Sequence, residues 1–175
     1  EFRRVLFRSK SLLVTVGTTG FDDLIEVVSS KAFATTILSL GFSKVIVQYG
    51  SSIHKFCEDS FRELGITVVS FDYCPSLEPY LRTVDLVVGH AGAGTILDTL
   101  RNHKQLIVVV NERLMGNHQH EIADVMAAES YLLQSTPSTV IQVLGELSKS
   151  HLAEYPEAHP ELFASYLNDR LGFRS

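Results

Sequence analysis

The residues with chemical potential gather in one stretch, Val87 to Asp124, which reads VVGHAGAGTILDTLRNHKQLIVVVNERLMGNHQHEIAD. Gly92 and Gly94 flank Ala93 and would let a ligand approach the backbone closely. Thr95 stands where a helix is expected to begin, so its first turn would present free N–H groups. A diphosphate suits such a terminus, which is worth about 0.3 to 1 kcal/mol to an anion, and up to about 2 kcal/mol when partly buried. The third glycine of a dinucleotide fingerprint is missing and the motif follows the fourth strand rather than the first, which disfavours NAD. Asp98, three residues after Thr95, has two readings. It either closes a capping box on a helix-start N–H or accepts the hydroxyls of a ribose.

His90 ends an apolar strand, so it is either a satisfied core histidine or a group facing a ligand crevice. Asn117, His118, Gln119, His120 and Glu121 form a dense polar cluster at the next helix start. Neutral amides there suit sugar hydroxyls, and Asn117 equally suits a helix cap. His118, Glu121 and His90 do not match a recognised metal set, so no metal is expected. An Asp-x-Asp pair is absent, adjacent Asp22 and Asp23 are expected to cap a helix, and no G-x-S-x-G elbow supports a hydrolase.

Alternating strands and helices must position these residues. Ser11 to Val16, Lys44 to Tyr49 and Ile66 to Phe71 are short, β-branched apolar runs of the kind buried on both faces of a parallel sheet. Strands from Leu86 to Val88 and from Leu106 to Val110 follow, with Tyr131 to Gln134 as a sixth, edge strand. Between them the pattern predicts a helix or helix pair from Asp22 that stops by Gly41, an amphipathic helix from Ile53 to Leu64 ended by Gly65, and a short helix around Leu77 to Leu81. A further helix is expected from Ser138, as its cap, to Ser148. This alternation predicts an α/β fold, a Rossmann-like doubly wound parallel sheet. Ligands in such sheets sit outside the strands' carboxyl ends, which places the loops after Val16, Phe71, Val88 and Val110 along one edge.

The 175 residues suit one domain, and a 45% apolar content can bury a core. A formal net charge of −5 argues against a nucleic-acid surface, which needs clustered Lys and Arg. The two cysteines, Cys57 and Cys74, are too few for a disulfide framework or a zinc site and fit a reducing compartment. The longest aliphatic runs fall far short of the roughly 20 residues of a membrane helix. Residues 1–9 (EFRRVLFRS) read as a non-native leader, residues 10–155 as the nucleotide-binding domain, and residues 156–175 as a tail helix. Leu162, Phe163, Tyr166, Leu167 and Leu171 would form the tail's apolar stripe. That stripe would either pack on its own domain or dock on a partner.

GHAGAGTILDTL, LIVVVNERLMGNHQHEIA, VTVGTTGFDDLI and IVQYG together resemble a known family. They are similar to the cytosolic UDP-N-acetylglucosamine transferase subunits of dolichol-linked oligosaccharide synthesis, the asparagine-linked-glycosylation thirteen family. The likeness runs from Lys10 to the tail. It implies the C-terminal, donor-binding half of a GT-B, glycosyltransferase family 28-like enzyme, whose acceptor half is a separate membrane-anchored subunit. The implied reaction is the inverting, β1,4 addition of GlcNAc from UDP-GlcNAc to the lipid-linked acceptor GlcNAc-diphospho-dolichol, active only with the partner and without a cofactor or metal. The implied place is the cytoplasm, at the cytosolic face of the endoplasmic reticulum membrane.

By the same resemblance, Gly17, Thr18 and Thr19 would hold the diphosphate together with the loop from His90 through Gly92, Ala93 and Gly94 to Thr95. Phe71 would face uracil and Asp98 would take the ribose hydroxyls. Asn117, His118 and Gln119 would contact phosphate or the GlcNAc hydroxyls, Gln119 above all. His90, as the imidazolium, would stabilise departing UDP, and the catalytic base is expected on the partner or at the interface. Gly89 replaces a Ser common in relatives, and Gln105 a usual Pro. The alternative is a non-catalytic nucleotide-sugar-binding regulatory module on the same fold.

Overall fold

The computed structural model describes residues 9–111 and 118–157, with side chains throughout except at 118–120. The expected leader and tail helix lie outside the described residues apart from Ser9 and residues 156–157.

Six strands form one sheet: β1 (Lys10–Thr15), β2 (Phe42–Gln48), β3 (Thr67–Phe71), β4 (Leu86–His90), β5 (Gln105–Val109) and β6 (Leu133–Ser135). Every pairing is parallel and the order is β3-β2-β1-β4-β5-β6, so the winding reverses between β1 and β4. The helices are α1 (Asp22–Val28), α2 (Lys31–Ser39), α3 (Asp59–Glu63), α4 (Glu78–Leu81), α5 (Ala93–Arg101), α6 (His118–Ala128) and α7 (Val140–Glu146). This is the doubly wound sheet expected from the spacing of apolar runs.

Side chains alternate along each strand, so the uninterrupted apolar runs split into two cores. Ile46, Leu13, Val87 and Leu106 are register partners in one row across four strands, and they pack with Ile96 and Leu100 of α5 and Ala123 of α6. On the other face, Val47, Val14, Val88 and Ile107 form the matching row beneath Leu24 and Ile25 of α1, Phe33 of α2 and Leu144 of α7. Each such fully buried aliphatic side chain contributes about 1.5 to 3 kcal/mol relative to an exposed one.

Four local expectations need correction. The helix expected over Ile53 to Leu64 is a 3₁₀ turn at Ile53–Lys55 followed by α3. Ser29 draws the intervening backbone away from helical pairing: its Oγ donates to the Lys55 carbonyl at 3.3 Å and accepts from the Cys57 N–H at 3.0 Å. The helix expected from Ser138 begins at Val140 after Thr139, and the Ser138 hydroxyl is instead bonded to that of Thr136 at 2.8 Å. The sixth strand starts at Leu133, because Tyr131 turns away to meet Tyr155 edge-on, ring centroids 5.2 Å apart. Asp22 does not cap α1, since it is the helix's first residue and Phe21 precedes it without a side-chain cap.

At the carboxyl ends of β1 and β2, the register partners Thr15 and Gln48 are both buried. The Thr15 hydroxyl donates to Gln48 Oε1 at 2.5 Å and accepts from the Gly17 N–H at 3.3 Å. A buried polar pair is tolerated when satisfied in this way, and here it ties the loop after β1 to the sheet beneath it.

Candidate functional site

The site lies at the carboxyl edge of the sheet, where strand order reverses and two loops leave neighbouring strands in opposite directions. The β1 loop runs through Gly17, Thr18 and Thr19 toward α1, on one face. The β4 loop runs from His90 through Ala91 and Gly92 into α5, on the other.

Among the described residues the N–H groups of Thr18 and Thr19 donate to no group, and both residues are exposed. Helix α5 starts at Ala93, two residues earlier than Thr95, because Gly92 serves as N-cap with no side-chain bond. The first N–H to find a carbonyl is that of Ile96, bonded to Gly92 at 3.0 Å. The N–H groups of Ala93, Gly94 and Thr95 therefore project from the helix terminus, as anion binding requires. A methyl on Gly94 would meet nothing within 4 Å, so this side of the loop opens to free space.

His90 occupies the gap between the loops. A methyl built on Gly17 would lie 2.8 Å from His90 Cε1 and 3.0 Å from Nε2, and one built on Gly92 would run into Nε2. Gly17 also has φ of +73°, a left-handed conformation that side chains resist. His90 Nδ1 is buried and outside hydrogen-bonding geometry with any described group. Burial pushes the imidazole pKa below its ordinary value, and the neighbouring Thr15 backbone opposes this only in part. The ring thus gives up its proton more readily than a free imidazole. Its folded pKa lies below the unfolded value of about 6.5, so the unfolded chain binds the proton more readily. Stability from this group is full above about pH 6.5 and is lost as pH falls through the lower folded value. Thermal melts from about pH 8 down to about pH 5 should show a steeper loss for the natural chain than for His90→Gln. Equal slopes would show that His90 is not held neutral by burial.

Asp98 lies six residues beyond the N-cap, in the second turn of α5, so it cannot close a capping box. Its carboxylate is exposed and has no partner among the described residues. Phe71 ends β3 on the same edge, half-buried, with its ring stacked on Tyr80 at 4.9 Å and 21°. It stands two strand spacings from β1, roughly 10 Å away. His118 and Gln119 open α6, directly after the β5 loop, while Asn117 lies outside the described residues. A methyl built on Gly89 would meet the methyls of Thr95 at 3.3 Å and Thr15 at 3.6 Å, so these threonines pack the position without a side chain. Gln105 is the exposed first residue of β5, consistent with a structural role for that departure.

Sequence reasoning missed a second cleft beside the β1 loop, of about 310 Å³, lined by Thr19 to Asp23, Ser51, Ser52 and Asn111. Ser52 is its buried linchpin, accepting from the Phe21 N–H at 2.9 Å and donating to Asp22 Oδ1 at 2.6 Å. Asp22 Oδ2 also meets His54 Nε2 at 3.2 Å, and these bonds, Ser52 foremost, hold the Asp22 carboxyl below its usual pKa. The consecutive serines after Gly50 were the available signal. Among the described residues, no three His, Cys, Asp or Glu side chains come together as a metal site, and no helix is long and apolar enough to cross a membrane.

Residues 11–170 match the model of the glycosyltransferase family 28 C-terminal domain. With the six-stranded parallel sheet, this makes the chain a Rossmann-like domain of the GT-B kind, and it belongs to the glycosyltransferase family 28 C-terminal domain family. Within that family it is similar to the UDP-N-acetylglucosamine transferase subunit ALG13. The human protein is 42% identical over 127 residues, which cover 73% of this chain and 11% of that protein. The Yarrowia lipolytica protein is 41% identical over 124 residues, covering 71% and 63%. The Saccharomyces cerevisiae protein is 30% identical and covers 93% and 96%. The chain thus spans less than two thirds of the human and Yarrowia relatives and nearly all of the Saccharomyces one. A solution structure of ALG13 superimposes with a TM-score of 0.66 at 29% identity, covering 91% of this chain and 96% of that one. Acinetobacter baumannii MurG, at 18% identity, shares the fold, with a TM-score of 0.62 over 82% of this chain and 41% of its own.

Proposed function

We propose that this chain is the donor-binding catalytic subunit of a two-chain transferase that moves GlcNAc from UDP-GlcNAc to GlcNAc-diphospho-dolichol, forming a β1,4 linkage. The observation that carries the reading is the pair of anion-ready loops, Gly17 to Thr19 and Gly92 to Thr95, facing each other across His90 at the reversal point of the sheet. The relatives' name, a UDP-N-acetylglucosamine transferase subunit, supports the same donor.

In this reading the diphosphate bridges the two loops, Phe71 and the adjoining backbone face uracil, and Asp98 accepts the ribose hydroxyls. Asn117, His118 and Gln119 meet the phosphate or the sugar, with Gln119 the principal sugar contact. An α-linked donor and a β-linked product require inversion, hence one in-line displacement. The developing charge on UDP falls on the N–H groups of the β1 loop and the α5 terminus, whose positive end strengthens as water is excluded. His90, packed between the loops, serves that departure. No metal or other cofactor takes part. The base that deprotonates the acceptor hydroxyl comes from a membrane-anchored acceptor subunit, or from the interface with it. That subunit recruits the chain from the cytoplasm to the cytosolic face of the endoplasmic reticulum membrane, and the tail, residues 156–175, is the docking element.

The test is co-expression with candidate membrane subunits followed by transfer assays on the complex and on the purified chain. The complex should form the disaccharide lipid and the chain alone should not. Transfer by the chain alone would rule out the two-chain mechanism. A complex that binds UDP yet never forms the disaccharide lipid would favour the regulatory-module reading instead.

A further inference from the structure

Gly17 and Gly92 belong to different loops on neighbouring strands, yet the same edge of the same ring fills the space a side chain would take on either. From a methyl built on Gly17 the nearest atoms would be His90 Cε1 at 2.8 Å, Nε2 at 3.0 Å and Nδ1 at 3.5 Å. From one built on Gly92 they would be Nε2, then Cε1 at 3.0 Å and Cδ2 at 3.1 Å. One ring thus fills the space beside both glycines, and neither loop can move toward the other without displacing the imidazole.

A histidine that acts through its nitrogens normally has one of them held by an acceptor, which selects the tautomer and aims the other at its target. Here Nδ1 is buried with no such partner among the described residues. Apart from the Thr15 backbone, which acts on the ring, the surroundings hold it by packing. Beneath it, the Thr15 to Gln48 pair holds the start of the β1 loop to the sheet, so the ring presses against a fixed floor on that side.

We infer that His90 is a spacer: its ring sets the separation of the β1 and β4 loops, and it acts on the ligand through that separation rather than through a nitrogen. It is a positioning residue for any anion long enough to bridge both loops. The inference rests on the proposed reading that a diphosphate spans them. A diphosphate feels the gap, whereas a monophosphate, held by one loop, does not. The ratio of UDP to UMP affinity is therefore the quantity that His90 controls.

The test titrates the full chain with UDP and with UMP, with a melting curve for each variant. His90→Ala should lower the UDP affinity by about tenfold or more while UMP binding changes by less than about threefold. His90→Phe, which restores a flat ring without nitrogen, should recover most of the lost UDP affinity, and His90→Asn, polar but short, should not. Recovery by Asn and none by Phe would overturn the spacer and assign a direct hydrogen bond. A measurement independent of ligand comes from the pair with Gly92. In the natural background Gly92→Ala should lower the melting temperature, and in the His90→Ala background the added methyl should be tolerated, giving strong non-additivity. Additive effects would overturn the spacer even if His90→Phe failed to fold. Failure of the natural chain to bind UDP at all would count against the diphosphate reading and leave the packing result standing.

Discussion

Replacing Gly17 with alanine should destabilise the domain by about 2 to 5 kcal/mol and weaken UDP binding in step. Two costs combine. The residue sits at φ +73°, where a side chain costs about 1 to 2 kcal/mol, and its methyl would press on the His90 ring at 2.8 Å, an overpacking of about 1 to 3 kcal/mol. At this chain length each kcal/mol lowers the melting temperature by about 2 to 4 °C. The protein holds its own control in Gly41, with φ of +87° and nothing within 4 Å of an added methyl. Gly41→Ala should carry the conformational cost alone. A Gly17 variant that melts no earlier than the Gly41 variant would show that the ring does not fill the gap between the loops.

The second large effect is expected at Asp98, and it should fall on ligand binding alone. The carboxylate is exposed, lies beyond capping distance and has no partner among the described residues. Asp98→Ala should thus leave stability within about 0.5 kcal/mol. If the carboxylate accepts ribose hydroxyls, its loss removes charge-assisted hydrogen bonds worth about 1.5 to 3 kcal/mol, roughly a 10 to 100-fold fall in UDP affinity. Paired titration and melting curves separate the outcomes. A lower melting temperature with unchanged affinity would remove Asp98 from the site.

These two residues show different degrees of legibility. Asp98 could be narrowed from sequence to a cap or a ribose ligand, because both depend on its distance from a helix start. The capping reading turned on where α5 begins. A glycine N-cap without a side-chain bond leaves no signature, so the start was placed at Thr95 instead of Ala93. Gly17 and Gly92 were legible as backbone kept bare for a ligand. That the bareness also houses an imidazole was not legible, since the ring reaches them from the end of another strand or across a loop turn.

The same division runs through the fold. Runs such as Leu12 to Val16 and Leu106 to Val110 carry strand identity in their own composition, because burial on both faces demands uninterrupted apolar residues. Alternation of such runs with helical periods was enough for the doubly wound class. Sequence failed where a distant hydroxyl competed for backbone. Ser29 breaks the helix expected through Cys57 from 28 residues away, and Ser52 takes up the Asp22 carboxylate across 30 residues. Resemblance supplied roles for Asn117, His118 and Gln119 that spacing alone left open.

By itself, then, the chain's sequence determined the element types, the edge on which the loops gather, and the glycines and histidine that line them. These follow from periodicity and turn chemistry, which act over a few neighbouring residues. The tertiary structure alone decided that β1 and β4 lie side by side, that one ring separates their loops, and that Asp98 stands free of the helix cap. Those depend on register and on the reversal of strand order, which arise only when the two faces of the sheet bury their rows together.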